Sequence, residues 1–161
     1  MELVLERWLH ILSGITWIGL LYYFNFVQVP GLAAAKADGT NAGIVKHIAP
    51  RALLWFRWAA VVTWVTGAIY LIRGSYGIVP AFTLQGQAAY IGIGAWLGTI
   101  MLFNVWVLIW PNQKKVLGIV EASADEIAKA KNVALLASRT NTMFSIPLIM
   151  SMVGAGHGFF M

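Results

Sequence analysis

The chain has 161 residues, of which 60% are hydrophobic and 11% charged, with a formal net charge of +5, a mean hydropathy of +0.75 and no cysteine. A soluble domain is nearer 45–50% apolar and about a quarter charged, so too few polar side chains remain here to clothe a water-soluble globule, and the composition excludes a disordered chain as well. Without cysteine this chain has no disulfide, no thiolate metal site, no catalytic thiolate and no covalently attached c-type haem.

Four apolar runs follow one another along the chain. The first, residues 8–29, holds no charged residue and ends at Pro30-Gly31. It is long enough to cross a hydrocarbon core of roughly 30 Å, and its acidic start (Glu2, Glu6) and length argue against a cleaved signal peptide. The second, 52–72, is interrupted only by Arg57 and closes at Arg73-Gly74; the third, 88–110, is uncharged and stops at Pro111. The fourth, 143–161, is uncharged and contains Pro147, which is expected to kink it. Before it, Ser123-x-x-Glu126 is a capping-box pattern that opens an Ala-rich stretch. That pattern predicts a helix over 124–138, lying at the interface or running into the fourth span. The expected fold is therefore all-α: one integral membrane domain, a four-helix bundle in the lipid bilayer.

Charge placement orients the bundle. Lys36, Lys46, Arg51, Arg57, Lys114, Lys115, Lys129, Lys131 and Arg139 fall on one side, and only Arg7 and Arg73 on the other. The positive-inside rule places the two long loops, 30–50 and 111–142, in the cytoplasm and both termini in the periplasm of a bacterial inner membrane. Basic residues confined to loops between apolar spans mark topology rather than a nucleic-acid surface, so no nucleic-acid partner is expected.

This topology sorts the three histidines. His10 lies near the outer end of the first span and His157 near the outer end of the fourth, whereas His47 precedes the second span on the inner side. Two histidines at matched depth on different helices suit the two axial positions of a b-type haem held in a bundle. Ser13, Gly14 and Gly154, one turn inward, leave room beside them, and Arg7 and Arg73 are placed to meet haem propionates. The plainer alternative keeps both histidines as interfacial polar groups bonded to carbonyls or lipid headgroups.

A second polar layer, Arg57 with Asn25 and Asn104, lies toward the inner side. Either Arg57 snorkels to the interface with the two asparagines as partners, or the three form a site for a quinone headgroup or a substrate anion. Gly94-x-x-x-Gly98 reads as a close-packing face within the bundle, or less simply as a subunit contact. Trp8, Trp55, Trp58, Trp106 and Trp110 sit near span ends, as interfacial aromatic belts do. No carboxylate lies inside a span and no H-E-x-x-H or G-x-S-x-G motif occurs, so a carboxylate proton relay and metal-assisted hydrolysis find no support.

Four stretches together carry a family resemblance. They are Trp8-Leu-His10-Ile-Leu-Ser-Gly-Ile-Thr-Trp17-Ile-Gly19, Pro50-Arg51-Ala-Leu-Leu-Trp55-Phe-Arg57-Trp58, Phe103-Asn104-Val-Trp106 with Trp110-Pro-Asn-Gln-Lys-Lys115, and Ser138-Arg-Thr-Asn141-Thr-Met-Phe-Ser-Ile-Pro147. In order and composition they resemble the membrane domain of the bacterial cytochrome-c-linked urate oxidase (urate hydroxylase) family. The early His followed by Trp17-x-Gly19 is similar, more weakly, to haem-binding membrane protoporphyrinogen oxidases and copper-resistance membrane domains. In the urate family the membrane part is joined to a C-terminal c-type cytochrome. This chain stops at Met161 without C-x-x-C-H, so the resemblance implies the N-terminal half of that membrane domain standing alone. The expected function is a b-haem membrane subunit passing electrons between the membrane and a periplasmic c-type cytochrome. The alternatives are the membrane part of a split urate-oxidising enzyme, or a cofactor-free accessory subunit of a larger respiratory or photosynthetic membrane complex.

Overall fold

The computed structural model describes residues 2–157, and within them every regular element is helical. Four helices are long and apolar enough to cross a membrane: Val4–Ala37, Ile44–Arg73, Ala88–Val116 and Ala124–His157, called here the first to fourth helices. A short helix, Ile78–Phe82, lies between the second and third. The last four residues of the expected fourth span, 158–161, lie outside the described residues.

The first and third helices run past the points where the sequence suggests they stop, the second starts before its expected first residue, and proline explains how. Pro30, Pro50 and Pro111 each open an α-helical segment that directly follows a π-helical stretch: Tyr23–Gln28, Ile44–Ile48 and Asn104–Ile109. A proline ring collides with the carbonyl one turn back and has no N–H to give it. A widened turn shifts the hydrogen-bond register by one residue, and the helix continues instead of ending. The first helix thus extends to Ala37 rather than stopping near residue 29, and the third to Val116 rather than 110.

The fourth helix starts on the expected cap. Ser123 Oγ accepts the Glu126 N–H at 3.3 Å, and Glu126 Oε2 accepts the Ser123 N–H at 2.9 Å. The Ala-rich stretch is continuous with the fourth span, through Pro147, as a helix of 34 residues. At 1.5 Å per residue that is about 50 Å, well beyond a hydrocarbon core of roughly 30 Å, so its first turns stand clear of the apolar layer.

The helices form a ring in chain order, each touching its sequence neighbours, with the fourth closing against the first. Small residues set the closest approaches. A Cβ on Gly94 would stand 2.9 Å from Met152 Cε, and one on Gly98 would stand 3.6 Å from Leu148 Cδ1, so this glycine pair seats the third helix on the fourth inside the protein. A Cβ on Gly92 would collide with the Ala81 carbonyl oxygen, so the glycine lets the short helix dock closely on the third. The core is Trp17, Leu21, Phe24, Leu53, Phe56, Ala60, Met101, Val105 and Ile109, with Phe24 and Phe56 edge to face at 5.4 Å. Around it stands a continuous belt of exposed Leu, Ile, Val, Phe and Trp, from Trp8 and Ile15 to Ile146 and Met150. An apolar surface of this extent belongs in lipid.

Candidate functional site

Two polar layers cross the bundle. The outer one is built around His10. Its Nδ1–H donates to the Thr63 carbonyl oxygen at 2.8 Å, and the ring rests on Gly67, where a Cβ would stand 2.8 Å from His10 Cε1. A carbonyl only accepts, so Nδ1 carries a proton, and in the neutral imidazole Nε2 keeps its lone pair. One turn inward, Thr63 donates to Ser13 Oγ at 3.0 Å and Ser13 donates to the Leu9 carbonyl at 2.7 Å. Gly67 carries the close approach that the sequence assigns to Gly14; Gly14 instead faces Thr63 across the same helix pair. The small-residue run Thr66-Gly67-Ala68 in mid-span was the signal for it.

His157 ends the described part of the fourth helix. It is exposed, and its Nδ1 lies 3.0 Å from the Val153 carbonyl of its own helix. Tyr22 donates to Ser145 Oγ at 2.9 Å, fixing the antiparallel register of the first and fourth helices. Twelve residues separate Tyr22 from His10 and twelve separate Ser145 from His157, so both histidines stand on the same side of that contact, about 18 Å along their helices. His10 is turned onto the second helix, and its hydrogen bond is to Thr63 rather than to His157. Gly154 is buried one turn from Ser151, which accepts the Gly94 N–H at 3.0 Å and donates to the Tyr90 carbonyl, so this part of the fourth helix is held on the third. Arg73 pairs with Glu6 at 2.6 Å, tying the end of the second helix to the start of the first, and Arg7 is exposed.

The inner layer differs in membership from the expected trio. Asn104 Nδ2 donates to Asn141 Oδ1 at 2.8 Å, and Asn141 Nδ2 donates to the Met101 carbonyl at 3.0 Å. Asn25 Nδ2 donates to Ser138 Oγ at 2.8 Å and to the Leu21 carbonyl at 2.9 Å. Asn25 Oδ1 and Gln28 Oε1, both in the first π-helical stretch, are buried without a hydrogen-bond partner among the described residues. Arg57 stands apart from these groups, its guanidinium 3.8 Å from the centre of the Trp110 ring. Ser138, Asn141 and Ser145 form the fourth helix's share of the layer. Their spacing of three and four residues is one helix face, which was legible as a pattern although its partners were not.

No group of three or more His, Cys, Asp or Glu that would hold a bare metal ion occurs among the described residues.

Four antiparallel apolar helices enclosing two polar layers define a multi-pass membrane protein. The chain belongs to the urate oxidase N-terminal family, whose model matches residues 71–161, from the end of the second helix through the fourth. No curated protein and no solved structure matches it.

Proposed function

We propose that this protein is a membrane-embedded subunit of its family that holds b-type haem through His10 and moves electrons between the membrane and a c-type cytochrome at its outer, periplasmic face. One observation carries the reading: the His10 Nδ1–H donates to a backbone carbonyl, which in the neutral imidazole leaves Nε2 with its lone pair. That is the arrangement in which proteins present imidazole to a metal, because the second-shell acceptor fixes tautomer and ring orientation together. The residues therefore fit the group. His10 would supply one ligand, and His157, with its own Nδ1 near the Val153 carbonyl, is the candidate for the second. A bound haem would supply a one-electron centre whose potential is tuned by its ligands and its burial. The Thr63 carbonyl orients the His10 ring, Gly67 lets the ring seat deeply, and the Ser13–Thr63 pair satisfies the hydroxyls beside it. Arg7 and the Arg73–Glu6 pair stand at the outer rim, where propionates are expected to reach.

The test is an absorption spectrum of the purified chain, oxidised and dithionite-reduced, for the native sequence and three variants. A reduced α-band of b type is expected. His10→Ala removes it, His157→Ala weakens it or shifts it to a high-spin form, and His47→Ala keeps it. A flat trace from well-folded protein overturns the reading in favour of a cofactor-free accessory subunit. So does loss of haem in His47→Ala alone.

The family match supports a second reading, the membrane part of a split urate-oxidising enzyme. Urate consumption by membranes containing the chain and a c-type cytochrome, abolished without the chain, is the outcome that favours it.

A further inference from the structure

The seam between the second and third helices is filled by large side chains. Trp64 Nε1 donates to Thr99 Oγ1 at 2.8 Å, the Trp58 and Trp106 rings meet edge to face at 5.5 Å, and the Arg57 guanidinium lies over Trp110 at 3.8 Å. These contacts follow one another along the antiparallel pair toward the end where the basic loops gather. Bulky contacts hold the backbones apart and leave a cavity of about 380 Å³, lined by Val61, Trp64, Thr99, Leu102, Phe103 and Trp106. The Thr99 hydroxyl is spent on the Ala95 carbonyl and on Trp64, so the lining is apolar in effect. Phe103 is 56% exposed, so the cavity is a groove beside the lipid-facing surface.

Its basic end carries a charge. Arg57 lies four residues, about one turn, from Val61, and Trp110 lies four residues from Trp106, so the stacked pair stands one turn beyond the groove. Lys114 follows four residues after Trp110 on the same helix. No Asp or Glu occurs in the second or third helix, and Arg57 is in no ion pair among the described residues. Trp110 covers one face of the guanidinium. The guanidinium N–H groups lie in the guanidinium plane, where they match a phosphate in two-point fashion.

We propose that this groove and its cation bind one anionic phospholipid: an acyl chain lies along Val61, Leu102 and Phe103, and the phosphate sits at Arg57 with Lys114 beside it. An apolar slot between helices that ends in unpaired basic groups at headgroup level is the form such sites take. A zwitterionic lipid brings an ammonium against the same two cations, and a quinone brings no negative charge, so charge complementarity selects the anionic lipid. The site lies on the seam away from His10 and does not depend on the haem reading.

The experiment titrates the detergent-solubilised full chain with phosphatidylglycerol and with phosphatidylcholine of identical acyl chains, counting bound lipids by native mass spectrometry. One phosphatidylglycerol is expected to bind at least roughly fivefold more tightly than phosphatidylcholine. Arg57→Gln abolishes that preference, Arg57→Lys keeps part of it, and Val61→Trp, which fills the groove without altering charge, weakens binding of both lipids. Equal binding of the two lipids by the native chain overturns the proposal, as does an unchanged preference in Arg57→Gln or retention of a quinone in place of phospholipid. The native comparison stands even if a variant fails to fold.

Discussion

Gly67 decides how His10 sits. The ring is in contact with the backbone there, and a Cβ would stand 2.8 Å from Cε1 and 2.9 Å from Nδ1, closer than packed atoms tolerate. Gly67→Ala therefore drives the ring outward and lengthens or breaks the bond to the Thr63 carbonyl. Overpacking and a lost hydrogen bond at a partly buried site together cost about 1–3 kcal/mol. Thermal unfolding in detergent is expected to show a lowered midpoint for Gly67→Ala. The control is Gly19→Ala, mid-helix with nothing within 4 Å of the added methyl, where the midpoint holds or rises. Equal midpoints for the two variants would show that His10 has no fixed seat. Asn141 shows the same dependence on surroundings. It is fully buried, and both ends of its amide are engaged, one by Asn104 and the other by the Met101 carbonyl.

At the scale of the element, three prolines are absorbed by π turns, and each helix gains length beyond its most apolar stretch. The fourth helix shows a different kind of control, since its start depends on a local cap rather than on lipid. Glu126 also lies 3.5 Å from Lys115, joining the cap to the end of the third helix; both side chains are substantially open to solvent, at 36% for Lys115 and 53% for Glu126, so the cap rather than the ion pair holds the turn. Ser123→Ala removes the oxygen that receives the Glu126 N–H and is expected to destabilise that turn by about 1 kcal/mol. Hydrogen exchange is the measurement. Amides at 124–127 exchange faster in the variant, and those of the membrane-spanning segments are unchanged. Uniform acceleration along the whole helix would mean that the cap supports the bundle and not merely its own turn.

For the molecule as a whole, the ring order brings the ends of the first and second helices together at the Glu6–Arg73 pair, while Tyr76 donates to the Ala155 carbonyl at 2.9 Å and holds the second connection on the fourth helix. Nine of the eleven Lys and Arg residues gather at the opposite end. The positive-inside rule leads to the expectation that this end faces the cytoplasm. The chain has no cysteine, so single introduced thiols report cleanly. Glu121→Cys, in the exposed turn before the fourth helix, is expected to react with a membrane-impermeant reagent only from the cytoplasmic side. Gln85→Cys, in the exposed turn between the second and third spans, reacts only from the periplasmic side. The reverse labelling pattern would invert the molecule and move His10 to the inner face.

Read by itself, the sequence determined the helical class, the four apolar runs, the Ser123–Glu126 cap and the presence of polar residues within the spans. Each of these depends on local hydropathy or on residues a few positions apart, and such signals survive without knowledge of the fold. Tertiary structure decided who meets whom. His10 found Thr63 and Gly67, Asn104 found Asn141, and Arg57 found Trp110 rather than either asparagine. These pairings follow from the rotation of each helix about its axis and its register against its neighbours. Both are fixed by where glycines permit close approach and where π turns shift the face by a fraction of a turn. A one-residue change in register turns a helical side chain by about 100°, enough to exchange one neighbour for another, and hydropathy along the chain carries no record of that angle.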